Sequence, residues 1–110
     1  KKPFFLKIAV PKAKEDWSDL SKVAKKWTEA EENNTEAWYE YGFANEKLLN
    51  LDIALKSYKK SISIDKNNSD SLFRSALIHH KNGNLSEAEN IQKDLFLINE
   101  TKSLELEELL

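Results

Sequence analysis

Apolar positions in this chain follow two different rules, divided near Asp16. Before it, Phe4, Phe5, Leu6 and Ile8 sit among lysines and between Pro3 and Pro11, with no sustained helical period. Residues 1–13 are therefore expected to form an extended basic arm. After it the helix period takes over. Trp17, Leu20, Ala24, Trp27 and Ala30 recur three or four apart and line one stripe. The same reading predicts a leading helix over 16–32, then helices from Thr35 to about Leu49, Asn50 to about Ile64, Ser69 to Gly83, Asn84 to about Ile98, and Ser103 to the end. Asp16, Asn50 and Asn84 stand where side-chain caps are wanted, Asn84 with Glu87 three residues on as a capping-box-like start. Gly83 suits a left-handed helix end. No connection is longer than a short turn, so neighbouring helices must run antiparallel.

The helices also repeat. Trp38 maps onto Leu72 at an offset of 34 residues, Gly42 onto Ala76, Ala54 onto Ala88, and Asn33-Asn34 onto Asn67-Asn68. Leu106 continues the series of Trp38 and Leu72. A single irregular core has no reason to keep such a register, whereas a stack of helical hairpins does.

Within that register the residues resemble the tetratricopeptide repeat. The first hairpin reads Trp38-x₂-Tyr41-Gly42-x₂-Asn45, then Ala54-x₃-Tyr58. The second reads Leu72-x₂-Ser75-Ala76-x₂-His79, then Ala88-x₃-Gln92. Lys66 and Glu100 stand where the family has a closing proline. The resemblance implies an all-α solenoid of antiparallel hairpins: a leading helix, repeats over 35–68 and 69–102, and a trailing helix over 103–110. Small residues at Gly42, Ala54, Ala76 and Ala88 are expected at close helix–helix approaches, and bulky Trp38 and Leu72 between hairpins.

Composition agrees with a folded helical domain. Of 110 residues, 33% are charged and 40% hydrophobic, and only two are Gly and two Pro. The absence of Cys excludes disulfides, thiol chemistry and cysteine metal sites. A net charge of −2 argues against nucleic acid as a partner. Charge is unevenly spread: Lys1, Lys2, Lys7, Lys12 and Lys14 precede the first acid, Glu15, while Glu105, Glu107 and Glu108 crowd the other end. Membrane association is disfavoured and left open only through the basic arm. With no Met at its start the chain reads as a fragment or processed form; a cytoplasmic setting is favoured.

No nucleophile motif, phosphate loop or metal-binding pair is present, so neither an enzyme nor a cofactor is expected. His79 and His80 are adjacent, about 100° apart on a helix, and cannot chelate one ion together. The four Asn-x-Ser/Thr matches at Asn33, Asn67, Asn84 and Asn99 read as turns and caps rather than glycosylation sites.

Function must then come from a surface. Trp38, Tyr41, Gly42 and Leu48 form the packing face of their helix; Tyr39 and Phe43 lie on another face, with Glu46 and Lys47 one turn on. One repeat later the same places hold Phe73, Leu77, His80 and Lys81. The resemblance implies that this second face lines a concave groove for a partner peptide, here expected to be apolar. Tyr39, Phe43 and Asp70 occupy places where carboxylate-binding relatives carry a clamp, and only Arg74 agrees, so acidic tails are not the expected ligand. The expected partner is a protein or peptide. The alternative is a homo-oligomer whose groove is filled by the arm Phe4–Ile8 or the tail Leu104–Leu110, its own or a neighbour's.

Overall fold

The computed structural model describes all 110 residues. Eight helices follow one another: α1 (Phe4–Lys7), α2 (Ala9–Ala13), α3 (Trp17–Ala30), α4 (Thr35–Lys47), α5 (Leu51–Ile64), α6 (Ser69–Lys81), α7 (Leu85–Ile98) and α8 (Glu100–Leu109). From α3 onward each packs on the next, and the molecule is elongated, 42 × 24 × 22 Å. It is an all-α solenoid.

The core is segmented in the way such stacking requires. Ile8, Leu20, Trp27, Ala37 and Ala44 form one cluster; Ala54, Tyr58 and Ile78 a second; Leu72, Ala76, Leu77, Leu95 and Leu106 a third. Each cluster joins adjacent hairpins, so stability is passed along the stack rather than held at one centre. The close approaches fall at the small residues. A Cβ placed on Gly42 would lie 2.8 Å from the Tyr58 ring, and Ala54 is wholly buried.

The arm is a correction. Residues 1–13 are not extended: they form α1 and α2, broken at Ile8. Their apolar spacing is too short to show a period, yet Ile8 is buried and Phe4 stacks on Trp27 at 6.1 Å. In the 34-residue register these residues occupy the place of α4 and α6, with Phe4 standing where Trp38, Leu72 and Leu106 stand. They are the first helix of the hairpin whose second helix is α3. Pro3 and Pro11 permit this, because Pro3 lies at an N-cap and Pro11 in the first turn of α2, where no intrahelical N–H is needed.

Capping divides by turn type. Asp16, Asn34, Asn68 and Asn99 accept backbone N–H bonds at 2.9–3.2 Å at the starts of α3, α4, α6 and α8. Asn50 and Asn84 hold the N-cap positions of α5 and α7 but make no capping bond. Asn50 instead donates to Asn45 Oδ1 at 3.3 Å. The α4–α5 and α6–α7 turns rest on a different device, a left-handed residue at Leu49 (φ 64°) and Gly83 (φ 82°), matched at Glu15 (φ 56°) before α3. All three fall at the same repeat position.

Trp38 is a second correction. Leu72 is buried as expected, but its counterpart Trp38 is only half-buried and belongs to none of the three clusters. Its indole N–H must find an acceptor, and it does so at the edge, donating to the Glu32 carbonyl at 2.8 Å.

Candidate interaction face

The first helices of successive hairpins, α2, α4, α6 and α8, are tied side to side by one ion pair at each step. Lys12 Nζ donates to Glu40 Oε2 at 2.9 Å, joining α2 to α4. The Arg74 guanidinium grips both oxygens of Glu46, joining α6 to α4. Lys102 Nζ reaches Asp70 at 3.1 Å, joining α8 to α6. The first two are the same contact one repeat apart, each spanning 28 residues, with the charges reversed. The register would next set His80 against Glu108, and no ion pair forms there.

Beside these pairs runs a row of aromatic rings. Trp17 meets Phe43 edge-on at 5.5 Å, Phe43 stacks with Tyr39 at 6.0 Å, and Tyr39 lies 5.8 Å from Tyr58. Three cations ring Phe43: Lys47 at 5.2 Å, Arg74 at 5.5 Å and Lys12 at 5.7 Å from its centre. Lys102 sits 5.3 Å from the centre of Phe73. Of these four cations only Lys47 stands outside the ion pairs.

Burial, then Asp70 and Glu40, push the Tyr39 phenol up; burial and Glu46 do the same to Tyr58. Tyr58 therefore keeps its proton and donates it to Glu46 at 2.7 Å. Glu46 in turn holds Arg74 protonated, chiefly through their hydrogen bonds. Glu36, one turn before Glu40, is raised by desolvation and then by Glu40 and Asp70.

Tyr39, Phe43, Glu46 and Lys47 are thus brought together on α4, the first three half-buried and Lys47 exposed. Phe73 lies one step along, half-buried. Leu77 does not join them: it is 6% exposed, within the core cluster that Leu106 of α8 completes. His80 is half-buried and lines a hollow with Leu85, Gln92 and Glu107, between α6, α7 and α8, while Lys81 is exposed at the end of α6. His79 faces another hollow, beside α5 and α7, so the two histidines diverge. The face is not the apolar one expected. Lys12, Glu40, Arg74, Asp70 and Lys102 make it aromatic and ion-paired, and Arg74 is already taken by Glu46. The 28-residue spacing of Lys12–Glu40 and Glu46–Arg74 was the sequence signal for it.

A segmented helical stack with a connected inner row of first helices is the architecture of a protein-interaction module. Sequence comparison agrees: tetratricopeptide repeat models match residues 35–68 and 57–90, together about half of the chain. The chain belongs to the tetratricopeptide repeat family. Among solved structures, the type III secretion translocator chaperone SycD of Yersinia enterocolitica, in a structure described as an alternative dimer, superposes with a TM-score of 0.83 at 16% identity, over 96% of this chain and 87% of that one. MamA superposes with a TM-score of 0.73 at 18% identity, over 84% of this chain and 69% of its own. At these identities the likeness is one of fold. Comparison with curated protein sequences finds no significant match.

Proposed function

We propose that the chain is a non-enzymatic scaffold that holds an extended partner segment along the face of α4 and α6, with Tyr39, Phe43, Glu46, Lys47, Phe73, His80 and Lys81 in contact. The observation that carries this reading is that Trp17, Phe43 and Phe73 are half-exposed rings, each beside a cation. A packed core would have buried those rings, and a plain solvated surface would not have gathered them. Arg74, held by Glu46, has no free fork for a terminal carboxylate, so the favoured partner offers apolar side chains and main-chain groups.

Selection of peptides from a random library, followed by titration, tests it. Lys47→Glu leaves the fold untouched, being exposed, and Phe73→Ala trims the neighbouring ring. Selected peptides should lose at least tenfold in affinity to the pair. Equal binding by the double variant, with circular dichroism unchanged, defeats the assignment.

A second reading is self-association. Phe96, Leu97, Leu104 and Leu109 are exposed apolar side chains at the end of α7 and on α8, with Leu97 83% exposed, and SycD has been described as a dimer. Light scattering of wild type beside Leu97→Glu decides: a concentration-dependent dimer lost in the variant supports it, and a monomer in both excludes it.

A further inference from the structure

Between α5 and α7, behind α6, lies a cavity of about 340 Å³ that shares no residue with the aromatic face. Leu55, Ile62, Leu72 and Ile91 form its apolar walls. Ser75 and His79 are its polar lining from α6. Ser75 is only 4% exposed, yet unlike Ser57 and Ser71 its hydroxyl has no hydrogen-bond partner in the protein. The hollow is open to solvent, so water answers this hydroxyl until a ligand group replaces it.

The repeat explains the void. One repeat earlier the positions of Leu72 and Ser75 hold Trp38 and Tyr41. The first hairpin brings its own two aromatic side chains to this place; the second brings a leucine and a serine. Ile91 in place of Ser57 returns only part of the lost volume. The volume falls within the range of pockets that take a ring-sized group, roughly 300–1,000 Å³. Its rim is divided: Lys56 and Lys59 on the α5 side, Glu87 and Asp94 on the α7 side, none of them in an ion pair.

We propose that this cavity receives an aromatic side chain of a partner protein, in a segment with an acidic residue on one side of the ring, toward Lys56 and Lys59, and a basic one on the other, toward Glu87 and Asp94. The ring replaces what the repeat lacks. A tryptophan N–H or tyrosine O–H would satisfy Ser75 or His79. The divided rim calls for flanking residues of opposite charge. This site is separate from the face of α4 and α6, and each can fail without the other.

The test titrates the full chain, labelled for methyl NMR, with acetyl-Glu-Trp-Lys-amide. Shifts should centre on Leu72 and Ile91. The peptide acetyl-Lys-Trp-Lys-amide, which lacks the acidic flank, should bind several-fold more weakly, and Lys56→Glu with Lys59→Glu should reverse that order. Ser75→Tyr, which restores the residue of the earlier repeat, should raise the melting temperature and cut affinity at least tenfold. Unchanged binding in Ser75→Tyr, or a lower melting temperature there, overturns the proposal. Shifts centred on Tyr39 and Phe73 do the same. Free tryptophan binding as tightly as the peptide would make the cavity a small-molecule site and reject the docking of a partner.

Discussion

The two complete hairpins solve one packing problem with different materials. In α4–α5, Gly42 lets the Tyr58 ring lie against the backbone of α4, and the phenol continues to Glu46 and Arg74. In α6–α7 the same two places hold Ala76 and Gln92. Gln92 turns outward to Glu107 at 2.6 Å, leaving Leu95 to fill the core. The turns differ in the opposite sense. The tighter hairpin forces an exposed leucine, Leu49, into the left-handed region, whereas the looser one uses Gly83. A polar junction adds to the asymmetry: Thr35, Ser61, Asn68 and Ser71 bond one another at 2.8–3.0 Å where α4, α5 and α6 meet. The lesson is that a shared register does not imply shared energetics. The first hairpin is aromatic, polar-networked and strained at its turn; the second is aliphatic, relaxed and incompletely filled.

The largest test of that contrast is truncation of the matched pair. Tyr58→Ala should cost about 3–5 kcal/mol, as for other buried aromatic residues, while Gln92→Ala should stay within about 0.5 kcal/mol. Urea unfolding curves measure both, and equal losses would abolish the distinction. Next come the close approaches. Gly42→Ala should destabilise by about 1–3 kcal/mol, since its new methyl meets Tyr58. Ala76→Gly should cost about 1 kcal/mol or less, mainly through backbone entropy. If Gly42→Ala proved neutral, the ring would not be held as described.

The turns predict a smaller effect of opposite sign. Leu49→Gly should stabilise by about 0.5–1 kcal/mol by relieving a left-handed L-residue. Gly83→Leu should lose a similar amount for purely conformational reasons, because a Cβ there meets nothing within 4 Å. Thermal melts of the two variants should move in opposite directions. The smallest effect concerns Glu36, whose folded pKa is raised by desolvation and by Glu40 and Asp70. Its carboxylate opposes folding once ionised, so stability falls as pH rises from the unfolded value through the folded one. Glu36→Gln should therefore raise the melting temperature slightly at pH 7 and leave it unchanged near pH 3. A variant less stable at pH 7 would reverse that sign.

How much of this was legible depends on distance along the chain. The helices from Trp17 onward and the small residues at Gly42 and Ala54 are local or periodic signals; the packing face read for α4 was not, since of Trp38, Tyr41, Gly42 and Leu48 only Gly42 is buried. The arm was misread because Phe4 and Ile8 make only one turn of pattern, although their register with Trp38 and Gly42 was visible in principle. On the candidate face, helical spacing grouped Tyr39 with Phe43, and their expected role came from the family resemblance. Lys12, Glu40 and Lys102 were missed because their partners lie on other hairpins.

The sequence by itself determined the repeat, its 34-residue register and the helices that carry it, because backbone periodicity and turn chemistry act over a few residues. Tertiary structure alone decided that α1 and α2 are helical, that Leu77 closes beneath α8, that Arg74 belongs to Glu46, and that a void opens beside Ser75. Each of those outcomes depends on which side chains from distant hairpins compete for the same space and the same charge, and that competition is settled only when the stack is assembled.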